Sequence, residues 1–186
     1  MGNRKRLIEG SSGSFFGAGN NNYLAGADTA LSVAGLTKAR TLFLKQTRPQ
    51  VGKGKARPLG IEPKNLIVPV ELEETANRLV KATDLNYDSA SETPNYNPHR
   101  GKYEVVAVPA LSSEAYSGYS AAAWYLQADP NRLPTIEVAF LNGQQRPVIE
   151  QSEQAFNVLG KQFRGYGDFG VAMREFRAAV KMKGEA

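Results

Sequence analysis

The sequence predicts an α+β fold, and three observations point to it. Apolar residues recur at Ala34, Leu36, Ala39, Leu42 and Phe43, close to the 3.6-residue period of a helix. The short apolar run Asn65-Leu-Ile-Val68, bounded by Pro63 and Pro69, reads as a buried strand that passes directly into a second helical pattern. Strand-like runs then follow at Tyr103–Val108, Ala123–Gln127 and Thr135–Phe140. A strand entering a helix with almost no loop belongs to compact α+β or α/β arrangements. At 186 residues the chain can form one full domain or two small lobes that share a core.

Residues 1 to 30 have little periodicity. Arg4-Lys5-Arg6 is followed by Ser11-Ser-Gly-Ser14 and then Gly17-Ala-Gly-Asn-Asn-Asn22, which reads as a flexible arm too poor in apolar residues for a core of its own. The first helix is expected over Ser32–Gln46, with Ser32 as N-cap and Lys38, Arg40 and Lys45 away from the apolar stripe; Pro49 and Gly52 forbid its continuation. Fifteen helical residues would span roughly 22 Å, enough to lie across a sheet as a spine. Thr47–Gly60 reads as a basic, glycine-rich mobile loop.

After the strand at 65–68, Pro69 can open a helix at its first turn. There Leu72, Ala76, Leu79 and Val80 share one face, and Glu71, Glu73 and Glu74 sit near the favourable N-terminal dipole. Asp84–Gly101, rich in Asn, Ser and Pro, reads as a long surface loop. Asp129-Pro-Asn131 and Leu141-Asn-Gly143 mark turns. Lys161–Arg164 and Ala172–Met182 look extended, with Met173, Phe176, Ala178 and Val180 partly alternating, although the same residues would also make one helical face.

Composition removes several function classes. There are no cysteines and a single histidine, His99, so neither a disulfide framework nor a Cys- or His-rich metal centre is available. No apolar run approaches the ~20 residues that cross a bilayer, and no signal-peptide core follows the basic start. Met1-Gly2 is followed by Arg6 where a myristoylation signal wants Ser or Thr. A soluble protein made inside the cell is expected.

The net charge of +5 is unevenly spread. Seven basic residues and no acid lie between Lys38 and Arg57, whereas Glu62–Glu92 holds seven acids. That segregation suits nucleic-acid binding, head-to-tail packing of identical copies, or simply a solvated charged surface. The basic run lacks the interleaved aromatics of a single-strand binding groove.

Several segments match catalytic patterns in part. Gly165-Tyr-Gly-Asp-Phe-Gly170 matches G-x-G-x-x-G, but the chain ends 16 residues later, without the further strand and acidic residue a dinucleotide site needs, so it reads as a turn. Asp168-Phe-Gly170 spells the kinase metal triplet without the rest of a kinase. Gly52-Lys-Gly-Lys55 lacks the spacing of a phosphate loop. Gly118-Tyr-Ser120 is a loose nucleophile elbow whose one possible base, His99, sits in the Asn-Pro-His-Arg loop. Glu73 and Glu74, about 100° apart on a helix, do not face each other as a catalytic pair. The expectation is no enzyme: no catalytic residues, no cofactor-binding residues, no metal and no cofactor.

The order of segments resembles a known family. Leu31-Ser-Val-Ala-Gly-Leu-Thr-Lys-Ala-Arg40, Leu59-Gly-Ile-Glu-Pro-Lys-Asn-Leu-Ile-Val-Pro69 and Leu72-Glu-Glu-Thr-Ala76 resemble the major head subunit of Mu-like tailed phages. Trp124-Tyr-Leu-Gln-Ala-Asp-Pro130, Ile136-Glu-Val-Ala-Phe-Leu-Asn-Gly143, Pro147-Val-Ile-Glu150 and Asp168-Phe-Gly-Val-Ala-Met-Arg-Glu-Phe-Arg177 continue it. The resemblance runs from about Gly26 to the C-terminus; the ordered series carries it, and no single block does.

It implies the tailed-phage major capsid fold, with a spine helix on a small sheet forming a peripheral lobe and a mixed α/β axial lobe. Residues 1–30 would be a remnant of the arm, 31–62 and 143–186 the peripheral lobe with Ser32–Gln46 as spine helix, and 63–142 the axial lobe. Lys161–Met182 would return beneath the spine. The family's N-terminal arm and extended loop, which clasp neighbouring subunits, look largely missing. The implied function is a non-catalytic structural subunit of a phage or prophage head, assembled in the bacterial cytoplasm into the pentameric and hexameric capsomers of a virion. Its partners would be other copies of itself and non-specific packaged DNA, with no membrane and no small-molecule substrate. Lys38–Arg57 and Asp84–Gly101 are the contact regions to examine first. The alternative reading is a basic nucleic-acid-binding domain without enzymatic activity.

Overall fold

The computed structural model describes residues 14–49, 55–83, 96–152 and 160–185. Nine strands and three α-helices lie among them: β1 (Tyr23–Leu24), α1 (Val33–Leu44), β2 (Pro63–Val68), α2 (Glu73–Lys81), β3 (Glu104–Ala107), α3 (Pro109–Ser112), β4 (Trp124–Ala128), β5 (Ile136–Phe140), β6 (Val148–Gln151), β7 (Phe163–Tyr166), β8 (Phe169–Met173) and β9 (Ala179–Met182). Packing separates two units, one of residues 1–135 and 174–186, the other of residues 136–173.

The first unit is built on a five-stranded mixed sheet of order β1-β9-β4-β2-β3. β2 runs parallel to β3 and antiparallel to β4, and β4 runs antiparallel to β9. The register places Val105, Leu66, Leu126 and Val180 in one cross-strand row, with Trp124 opposite Met182 beside it. Because side chains alternate along a strand, β4 buries Trp124, Leu126 and Ala128 and leaves Tyr125 and Gln127 half-exposed. Leu36, Ala39 and Phe43 of α1 and Ala76, Leu79 and Val80 of α2 join that row in a single core. Tyr125, on the other face, meets the Phe16 ring at 5.4 Å and the Lys181 ammonium at 5.6 Å.

Both predicted helices form, with corrected detail. Ser32 caps α1, its Oγ accepting from the Gly35 amide at 3.0 Å. The helix covers 12 residues rather than 15, about 18 Å of rise. Ala34, expected in the apolar stripe, is exposed, and Gly35 is buried in its place. The glycine takes the position because an ideal Cβ there would lie 2.2 Å from the Ala30 carbonyl oxygen. Pro69 precedes one turn of 3-10 helix (Val70–Leu72) before α2 begins.

Three loop expectations are also corrected. Within 1–30, residues 14–30 are not a flexible arm: Tyr23 and Leu24 pair in parallel with Lys181 and Met182 as the edge of the sheet. In Thr47–Gly60 the ends are pinned, with Thr47 bridging Pro58 and the Arg48 amide donating to the Arg57 carbonyl at 2.9 Å; residues 50–54 lie outside the described set. Of Asp84–Gly101, residues 84–95 likewise lie outside it, but Asn97 and His99 are buried.

The second unit is a two-stranded antiparallel ribbon. The chain runs out along β5 and β6 and back along β7 and β8, pairing β6 with β7 and β5 with β8. A kink separates the two halves, where Asn142 (φ 53°) and Gly143 (φ 72°) take left-handed backbone. Phe163–Tyr166 forms where Lys161–Arg164 was expected to be extended. Ala172–Met182 is not one extended run: β8 ends at Met173, a 3-10 turn occupies Phe176–Ala178, and β9 follows in the other unit. Packing divides the chain at 135/136 and 173/174, and the β4–β9 ladder ties the final strand to the middle of the chain.

Candidate functional site

His99, the one possible catalytic base, is held as a structural group. Its Nε2 lies 3.1 Å from Thr37 Oγ1 and 3.3 Å from the Val33 carbonyl, and its Nδ1 lies 3.5 Å from the Tyr103 hydroxyl. Thr37 Oγ1 already donates to the Val33 carbonyl at 2.8 Å. A neutral ring carrying its proton on Nε2 satisfies all of these: it donates to Val33 and Thr37 and accepts from Tyr103. Burial holds its pKa below the ordinary histidine value. The ring also stacks on Tyr103, with centroids 5.9 Å apart.

The surrounding loop is organised by Asn97. Its side-chain amide donates to the Leu79 carbonyl at 2.7 Å and the Ala82 carbonyl at 2.8 Å, while its oxygen accepts from the His99 amide at 2.9 Å. It thus satisfies carbonyls at the end of α2 that no further helical turn can reach. Asn22 does equivalent work at the sheet edge, donating to the Phe15 and Phe176 carbonyls and accepting from the Gly17 amide. Both roles escaped the sequence reading. The buried side chains sit in polar, turn-like stretches whose only signal was the clustering of Asn.

The other catalytic patterns dissolve in the same way. Ser120 accepts from the Ala122 and Ala123 amides, so it shapes the turn into β4 and does not meet His99. Glu73 and Glu74 are exposed in the first turn of α2. Gly165–Gly170 spans β7, a two-residue link and β8, with no helix after it. Residues 52–54 of the Gly52–Lys55 pattern lie outside the described residues. Among the described residues, no group of three or more His, Asp or Glu could hold a metal ion, and no helix is long and apolar enough to cross a membrane.

The basic run is partly neutralised. Lys38 pairs with Asp28 at 2.9 Å, and Arg40 pairs with Glu62 at 2.9 Å. The Lys38 ammonium, by hydrogen bond and charge, holds the Asp28 carboxyl below its usual range. Among the described residues of the run, Lys45, Arg48, Lys55 and Arg57 are also exposed.

Comparison with known families identifies the chain. Residues 7–182 match the model of a family described as phage capsid protein. The chain belongs to that family. A search among curated proteins finds no match. As a phage capsid protein it is a structural shell subunit, with the virion as its location. The functional surface of a capsid protein is the one that meets its neighbours. Its buried polar groups then find their place as braces of the subunit: His99 joins α1 to the loop after α2, Asn97 ends α2, and Asn22 holds the edge strand.

Proposed function

We propose that this chain is a subunit of a Mu-like phage or prophage head, associating with its own copies into pentamers and hexamers of an icosahedral shell. The observation that carries this reading is the capsid-family match across residues 7–182. The ordered blocks from Leu31 to Arg177 supply the Mu-like refinement. The role is packing and not catalysis: weak contacts repeated around closed rings sum through multivalency.

In this reading α1 is the spine helix, packed on β4 and β9. Residues 31–62 and 143–186 contribute the peripheral lobe and 63–142 the axial lobe, the two sharing the five-stranded sheet. The exposed cations Lys45, Arg48, Lys55 and Arg57 meet neighbouring copies or packaged DNA, the latter through phosphates without reading sequence. Assembly takes place in the bacterial cytoplasm. The pairing of Lys38 and Arg40 with acids weighs against a dedicated nucleic-acid-binding domain.

Size-exclusion chromatography with light scattering, run without DNA over rising protein concentration, tests this. Discrete pentamers, hexamers or larger closed particles are expected. A strict monomer that shifts salt-sensitive DNA would support the nucleic-acid-binding alternative instead.

A further inference from the structure

The ribbon of residues 136–173 carries an apolar face that, among the described residues, nothing covers. Its register sets Ile136 opposite Met173, Val138 opposite Val171 and Phe140 opposite Phe169. Positions two apart on a strand share a face, so these six side chains form three stacked cross-strand pairs on one side. The other side carries Glu137 opposite Ala172 and Ala139 opposite Gly170. That alternation is the pattern of a strand with one buried face. Yet exposure on this face runs from 36% at Phe140 to 71% at Phe169.

Two observations say what kind of cover is missing. A lone two-stranded ribbon is marginal in water and needs packing on an apolar face to be stable. Six large side chains, each at least a third exposed, offer on the order of 600 Å² of apolar surface. That is at the upper end of the largest patch on a typical monomer, and it approaches the ~800 Å² per partner of a standard protein interface. The β6–β7 half of the ribbon carries the ion pair of Glu150 and Arg164 at 2.5 Å.

We infer that the Ile136–Val138–Phe140 and Phe169–Val171–Met173 face is a contact surface for a second copy of this chain. The inference rests on the capsid reading for the identity of the occupant, and on the register and exposure for the location. Docking covers the three pairs, orders the ribbon, and excludes water from a face that would otherwise destabilise the soluble subunit.

The absence of native cysteine allows a direct test. Val171→Cys places one thiol on the face, and Ala172→Cys places one on the opposite side of the same strand. Both are small changes that keep the ribbon pairing. Thiol labelling by a maleimide is measured in dilute and in assembled protein. The expected result is at least a tenfold slower labelling at position 171 on assembly, with position 172 changed less than twofold. A second variant, Val138→Lys with Val171→Glu, replaces the central apolar pair by a cross-strand ion pair that preserves the ribbon. It is expected to raise the concentration needed for association at least tenfold, with the fluorescence of buried Trp124 unchanged. If the wild-type chain assembles while labelling at 171 is unaffected and the double variant assembles equally well, the inference fails and the capsid reading stands. If the wild-type chain stays monomeric at every concentration, both fail.

Discussion

Gly35 stands in the first turn of α1, where a methyl group would meet the Ala30 carbonyl at 2.2 Å. In a free helix, alanine is favoured over glycine by about 1 kcal/mol. Here the backbone would have to move, an overpacking cost of roughly 1–3 kcal/mol. Gly35→Ala is therefore expected to lower stability in urea unfolding, and a gain would contradict the close approach. His99 makes a pH-dependent prediction. Its folded pKa is lowered by burial, so below the ordinary value near 6.5 the unfolded chain binds a proton that the folded chain resists. Its contribution to stability is complete above that pH and is lost as the pH falls through the folded value. His99→Gln should flatten this part of the stability profile. Urea midpoints followed by Trp124 fluorescence between pH 7.5 and 5 check the slope; an equal slope in the variant would place the titration elsewhere.

At the scale of elements, Asn22 is the side chain that holds β1 in place. Asn22→Ala takes the side-chain partner from the buried Phe176 carbonyl and from the half-buried Gly17 amide, at about 1–3 kcal/mol for a buried group left unpaired, while the Phe15 carbonyl keeps its bond from Asn20. Hydrogen exchange should then speed up in residues 15–24 ahead of β2 and β4; uniform acceleration through the sheet would contradict a local brace. This contrast marks what was readable. Helices α1 and α2 carry apolar residues at a helical period, and β2 and β4 carry short apolar runs, so all four were legible in the sequence. Strand β1 is two residues long and is held by side-chain bonds to a carbonyl 154 positions away, which no local pattern can express. The Asn97 brace was hidden for the same reason. Along β5 and β8 the opposite happened. The alternation of Ile136, Val138 and Phe140 reads as an ordinary half-buried strand, and only the fold shows that its apolar side faces outward.

For the whole molecule, the sheet-based unit accounts for the subunit's own stability, while the ribbon accounts for little of it. The core joins Leu66, Trp124, Leu126, Val180 and Met182 of the sheet to both main helices. Leu126→Ala, in the centre of that core, is expected to cost about 2–5 kcal/mol in chemical denaturation. A subunit that keeps its core in one unit and an apolar ribbon in another suits a protein completed by its neighbours. The resemblance pointed to a phage head subunit, and the match over residues 7–182 establishes the coarser family of phage capsid proteins. Among the described residues, His99 and Ser120 are taken up by local hydrogen bonds, and Glu73 and Glu74 lie exposed in the first turn of α2. If identical copies of this chain build a closed shell, electron microscopy of the purified chain, concentrated without DNA, will show five- and six-membered rings or closed particles of uniform diameter. A field of dispersed single subunits at every concentration would contradict self-assembly.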